Sequence, residues 1–112
     1  MKHNLITYIL GIFLLFLNPV LSNEVFIESD NIKILEEGNI INAFKVIANI
    51  PSKKIEIEGD ESIYDKKKSQ LTIINNVKFN DTLKNVYIEG EKAIYNQITD
   101  VVQTFGKTYI KI

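Results

Sequence analysis

Five carboxylates crowd two short stretches, Asp60, Glu61 and Asp65 in one and Glu89 and Glu91 in the other, and acids so placed are the first residues that could do chemistry. A calcium loop needs closely spaced oxygen ligands around a fixed glycine, and glycoside hydrolysis needs two carboxylates flanking a sugar cleft. Against both stands a plainer reading, in which acids near apolar residues on a strand form its wet face. Lys66-Lys67-Lys68 could meet an anionic head group or be a solvated turn. Gly106-Lys107-Thr108 echoes the end of a phosphate-binding loop, but that loop requires glycine where this chain has Val101. The single histidine, His3, lies at the start, and cysteine is absent. That removes a Ser-His-Asp triad, a thiolate nucleophile and any cysteine-ligated metal. No cofactor is implied, and an enzyme is disfavoured.

The 112 residues are enough for one small domain. Their formal net charge of −1 gives no reason to expect nucleic acid, which draws on clustered Lys and Arg. The first residues have the parts of a secretory signal: Lys2 and His3, a mostly apolar run from Leu5 to Leu17, a turn at Asn18-Pro19, then compact Val20 and Ser22 before a cleavage point. Residues 1–22 are therefore expected to be a signal peptide cut after Ser22, with residues 23–112 forming the mature domain in the periplasm. The alternative is an uncleaved signal anchor in the inner membrane, although the run is shorter than the ~20 apolar residues that a bilayer core requires. In that compartment Asn80-Asp81-Thr82, which spells a glycosylation acceptor, is only a turn.

From Val25 onward the apolar period is two. Lys54-Ile55-Glu56-Ile57-Glu58 alternates as a strand with one wet face must. Further short runs are Asn31–Leu35, Asn39–Asn49, Gln70–Ile74, Val77–Phe79, Val86–Glu89, Lys92–Tyr95, Asp100–Phe105 and Thr108–Ile112, separated by turn-forming clusters. The expectation is an antiparallel meander. It contains a repeat: Ile57-Glu58-Gly59-Asp60-Glu61-Ser62-Ile63-Tyr64-Asp65 recurs 31 residues later as Ile88-Glu89-Gly90-Glu91-Lys92-Ala93-Ile94-Tyr95-Asn96. Leu71 then corresponds to Val102, Val77 to Thr108 and Phe79 to Ile110. A decayed earlier copy is expected to start at Ile27-Glu28-Ser29-Asp30, with Gly38-Asn39-Ile40 in the place of Asn75-Asn76-Val77. Such units cannot bury an apolar face alone, so copies stack around one elongated core. Gly59 and Gly90 are expected at a bulge or corner.

These repeated stretches, Gly59 to Asp65 followed by Leu71 to Phe79, and Gly90 to Asn96 followed by Val101 to Ile110, resemble the OstA-like family of lipopolysaccharide transport. That family takes in the periplasmic bridge protein LptA, the inner-membrane component LptC and the N-terminal periplasmic domain of the translocon LptD. Asn75 stands where the family favours glycine. The resemblance implies a slightly open antiparallel β-jelly roll whose groove holds lipopolysaccharide acyl chains. It also implies partnership with other OstA-like components by edge-to-edge strand pairing. Independently, the last run, Thr108–Ile112, is an edge with no proline or capping loop, so head-to-tail self-association is expected. Alternation independently nominates an inward set: Ile55, Ile57, Tyr64, Leu71, Ile73, Val77, Phe79, Val86, Ile88, Tyr95, Val102 and Ile110. The same set would serve a closed core with no ligand, as in a structural β-repeat module of a surface or envelope protein.

Overall fold

The computed structural model describes residues 24–112, so the expected signal segment lies outside the described residues. Eight strands follow in order: β1 (Phe26–Glu28), β2 (Asn31–Leu35), β3 (Ile40–Ile50), β4 (Ile55–Asp65), β5 (Gln70–Asp81), β6 (Val86–Asn96), β7 (Val101–Phe105) and β8 (Tyr109–Lys111). All join one antiparallel sheet with β3, β4, β5 and β6 as its middle. At one edge β1 and β2 lie end to end along β3; at the other, β7 and β8 lie end to end along β6. The two edges do not pair, so the sheet is not closed into a barrel. The meander expected from the sequence is therefore present as an open antiparallel sheet.

The strands are longer than the short runs suggested. Gln70–Ile74 and Val77–Phe79 belong to one 12-residue strand, and Val86–Glu89 and Lys92–Tyr95 to one of 11. Each long strand bends near its middle, and the bends line up across the sheet as a corner. There the register shifts between Glu58 and Glu61 and between Ile74 and Val77. The corner also passes through Lys45, at φ 53, and Asn75 and Asn76, at φ 64 and 53. At the edges it falls in the gaps between paired strands, at Ser29-Asp30 and Gly106-Lys107. Ser29 Oγ fills the first gap by accepting the Phe44 N–H at 3.0 Å and donating back to the Phe44 carbonyl. The corner divides the sheet into two leaves. The first holds β2, β7 and the adjoining halves of β3 to β6; the second holds β1, β8 and the remaining halves.

The repeat is thus one up-and-down pair of strands. Ile27-Glu28-Ser29-Asp30 does occupy the corner as Ile57 to Asp60 and Ile88 to Glu91 do. Gly38-Asn39-Ile40, however, lies at the far end of the first leaf, in a 3-10 turn and the start of β3. The corner counterpart of Asn75-Asn76-Val77 is Phe44-Lys45-Val46, because Val46 and Val77 are the buried residues that follow the left-handed kink. The decayed copy keeps the backbone bend but not the Asn side chains.

Tight turns cap both far ends. Lys54, Ser69, Asn85 and Asp100 each close a turn at positive φ. Asp65 Oδ1 accepts the Lys68 N–H at 3.1 Å, and Asn96 Oδ1 accepts the Thr99 N–H at 3.0 Å, which gives the repeated Tyr-Asx pair a physical role. Neighbouring turns are stitched together by Lys66 N–H to Asn39 O at 2.9 Å and Gln97 N–H to Ser69 O at 3.0 Å.

The two corner glycines have different reasons to be glycine. A Cβ on Gly59 would overlap the Ile73 Cγ2, whereas one on Gly90 would meet nothing nearer than Thr108 Oγ1 at 3.7 Å. Neither has a positive φ, so close approach, and not turn geometry, excludes a side chain at Gly59. Gly59→Ala is expected to cost about 1–3 kcal/mol in urea unfolding, the range for overpacking a filled core, while Gly90→Ala stays within about 0.5 kcal/mol of wild type.

Candidate functional site

Cross-strand register assembles the inward face row by row. In the first leaf one row runs Ile34, Ile41, Tyr64, Leu71, Tyr95, Val102. In the second leaf another runs Ile27, Ala48, Ile57, Phe79, Ile88, Ile110. The leaves fold onto each other about the corner. Phe79 and Tyr95, which are not register partners, bring their ring centroids within 5.8 Å from opposite leaves. Ile55, Ile57, Leu71, Ile73, Val77, Phe79, Ile88 and Tyr95 are no more than 5% exposed, and Tyr64, Val86 and Val102 pack half-buried against them. Ile110 is placed differently: it points to the same face at the last edge but is 54% exposed. The expected inward set therefore shares one face, closely packed in the middle and uncovered at the margin.

Strand β3 adds lining that the alternation did not reveal. Ala43, Val46, Ala48 and Ile50 are buried in the core. At the β1–β2 edge the leaves stand apart around a cavity of about 510 Å³ between Val25 and Ile27 on one side and Ile32, Ile34, Ile41 and Tyr64 on the other, with Lys66 at its rim. Of the lysine run, Lys66 is thus the residue beside an apolar opening. Ser62 Oγ is buried in the lining with no hydrogen-bond partner among the described residues, which costs about 1–3 kcal/mol of desolvation.

The five acids singled out in the sequence are spread over the sheet. Asp60 accepts from Asn76 at 2.8 Å, Glu61 from Asn42 at 3.0 Å and Glu89 from Tyr87 at 2.7 Å, while Asp65 caps its own turn. Among the described residues no group of three or more His, Asp or Glu is placed to hold a metal ion.

Polar chemistry concentrates where the far ends of the leaves meet. Lys53 Nζ, from the β3–β4 turn, donates to the Gln97 carbonyl at 2.7 Å and the Tyr95 hydroxyl at 3.3 Å, and lies 3.9 Å from Asp100 Oδ1. Lys84, from the β5–β6 turn, pairs with Asp100 Oδ2. Tyr95 OH donates to Asp100 Oδ1 at 2.6 Å, and Tyr64 OH donates to Gln97 Oε1 at 2.6 Å. The Lys84 hydrogen bond, then that of Tyr95, holds the Asp100 carboxyl below its ordinary range, and the same Asp100 bond raises the Lys84 ammonium. Burial, reinforced by Asp100, pushes the Tyr95 phenol far up. This cluster was missed because its members are separate in sequence and come together only when the sheet folds.

No protein-family model matches the chain, and no curated protein matches it. Among solved structures the chain is similar to LptH, the LptA homologous periplasmic component of the conserved lipopolysaccharide transport device from Pseudomonas aeruginosa. The identity is 10% and the TM-score 0.46, over 81% of this chain and 98% of that one.

A carboxylate whose pKa is depressed by folding contributes stability that is complete above its unfolded pKa and is lost as pH falls through the folded value. Wild type is therefore expected to exceed Asp100→Asn in urea midpoint by a constant margin from neutral down to about pH 5, with the margin closing below that as the carboxyl takes up its proton, first in the unfolded chain and then in the folded one. Midpoints for both proteins at a series of pH values check it.

Proposed function

We propose that the chain is a non-enzymatic periplasmic carrier of lipopolysaccharide, exported by residues 1–22, that shelters lipid A acyl chains between the two leaves and relays them toward the outer membrane. The observation that carries this reading is the uncapped lining. The apolar rows cross the whole sheet and reach both edges, where Ile32 and Ile34 are 44% and 67% exposed and Ile110 is 54% exposed. A domain whose apolar residues serve only its own stability has reason to cover such margins. The resemblance of the repeat to the OstA-like family supports the ligand class. Ile55, Ile57, Tyr64, Leu71, Ile73, Val77, Phe79, Val86, Ile88, Tyr95, Val102 and Ile110 are the proposed lipid-facing residues.

The edges support the proposed partners. Among the described residues, strand β8 and the β1–β2 edge each offer unpaired backbone groups beside exposed apolar side chains, and such edges accept a further strand. Pairing of the last edge with the first edge of another OstA-like domain, or of a second copy, is heterologous and extends the lining as an open rod.

One observation favours a second reading. The middle of the lining is packed with Tyr95, Leu71 and Ile73 no more than 2% exposed. That is how a structural β-repeat module with a dry core would look. Native mass spectrometry of protein purified from lipopolysaccharide-containing cells separates the two: retained lipid A mass supports the carrier.

A photo-crosslinking residue at Tyr64, Ile73, Phe79 or Ile88 is expected to capture lipopolysaccharide, and one at Glu56 or Glu89, on the opposite face, is not. Equal capture from both faces, or none from either, overturns the carrier. In analytical ultracentrifugation wild type is expected to associate with rising concentration, and Ile110→Pro, which removes a ladder donor from β8, to shift that association to higher concentration while the domain stays folded.

A further inference from the structure

We propose that Asp100, gripped by Lys53 and Lys84, is a clasp that holds the two leaves shut, and that its release admits a lipid's acyl chains sideways into the interior. The ligand half of this inference rests on the carrier reading above; the clasp itself does not.

The leaves are one continuous chain at the corner, so opening there would break sheet pairing. Opposite the corner the leaves end in turns, and those turns are joined by side chains. Lys53 and Lys84 reach from two turns of the second leaf to a single turn of the first, where Asp100 receives both. The grip has further points of hold in the Lys53 bonds to the Gln97 carbonyl and the Tyr95 hydroxyl. Directly inside it lie Tyr95, over whose ring Lys53 Nζ sits at 5.7 Å, and Phe79 against that ring. Separation of the turns would therefore uncover the centre of the lining.

The contacts are also of a kind that can let go. The Asp100 side chain is 33% exposed and that of Lys84 54%, so when the pair parts both charges pass into water instead of being stranded in a dry interior. The charged and titratable groups facing Asp100 are Lys53, Lys84 and Tyr95; Asp81, which faces Tyr95 and Lys84, is held on its own turn by the Lys84 N–H at 2.9 Å. The contrast with the opposite edge points the same way. Between β1 and β2 the leaves already stand apart around the cavity, whereas at the clasp they are drawn together.

The chain has no cysteine, so spin labels can be placed at Leu83→Cys and Ile98→Cys alone. These are exposed tips of the β5–β6 and β6–β7 turns, one on each leaf, and neither is part of the clasp. Pulsed electron-electron distance measurement on the ligand-free protein is expected to give one narrow distribution for wild type. A longer, broader population should appear in Asp100→Asn and in Lys84→Gln. The open population should rise about fivefold, the size of effect an ion pair of this exposure carries. Urea midpoints of the same proteins confirm that they are folded, and Lys84→Gln serves if Asp100→Asn is not. Distributions that coincide in wild type and both single variants overturn the clasp. Uptake of purified lipopolysaccharide is the second arm: faster initial loading by the open variants supports gating, and widened leaves with an unchanged loading rate overturn it. Widened leaves with no lipid taken up by any protein, wild type included, leave the clasp standing and overturn the carrier.

Discussion

The structure depends on every long strand changing direction at mid-length while antiparallel neighbours cross the same corner in opposite senses. An L-residue can make that change by entering the left-handed region, at a cost of about 1–2 kcal/mol that Asn lowers through its short polar side chain. The strands that run from the first leaf to the second do so, at Lys45, Asn75 and Asn76, and Gly106 at φ 83. The strands that return do not; they cross at Ser29, Gly59 and Gly90, with a small residue at each passage. Two kinds of crossing alternate, so the chain returns to the same chemistry only after two strands. That is why the sequence repeats every 31 residues and not at half that interval.

The fold about this corner converts a single amphipathic sheet into both walls of an interior. Neither wall needs a helix or a second sheet to cover it, since each leaf covers the other, and a domain this small gains its buried area that way. The same economy leaves the margins of the lining uncovered, because among the described residues no further strand lies over them. It also means that the walls meet at two boundaries of different character, a backbone corner on one side and side-chain contacts between turns on the other.

Much of this was legible in the sequence. The alternation around Ile55 to Glu58, the repeat and the Asx-bearing turns marked an antiparallel meander with one apolar face, and the buried positions of β4 to β6 follow from it. The continuity of the strands was not legible, for a physical reason. At the corner the inward parity shifts, from Ile55 and Ile57 to Ser62 and Tyr64 in β4 and from Val86 and Ile88 to Ala93 and Tyr95 in β6, so one bent strand reads as two short ones. In β3 eight of the eleven residues from Ile40 to Ile50 are apolar, and no alternation shows which face is inward until Lys45 is known to be the kink. The cluster around Asp100 has no sequence signature at all, because folding of the leaves alone brings Lys53 beside it.

Each strand of the middle pairs with the strands next to it in sequence, and the backbone hydrogen bonds between turns join neighbouring turns of the same end. Length is therefore a quantised and nearly free variable of this architecture. Duplication of one 31-residue unit within the array would insert two strands, widen the sheet by about 10 Å at the usual strand spacing, and return the chain to the same leaf, facing the same way. The terminal strands would keep their geometry, so a lineage could adjust the span of its interior by whole-unit gains and losses without redesigning either end.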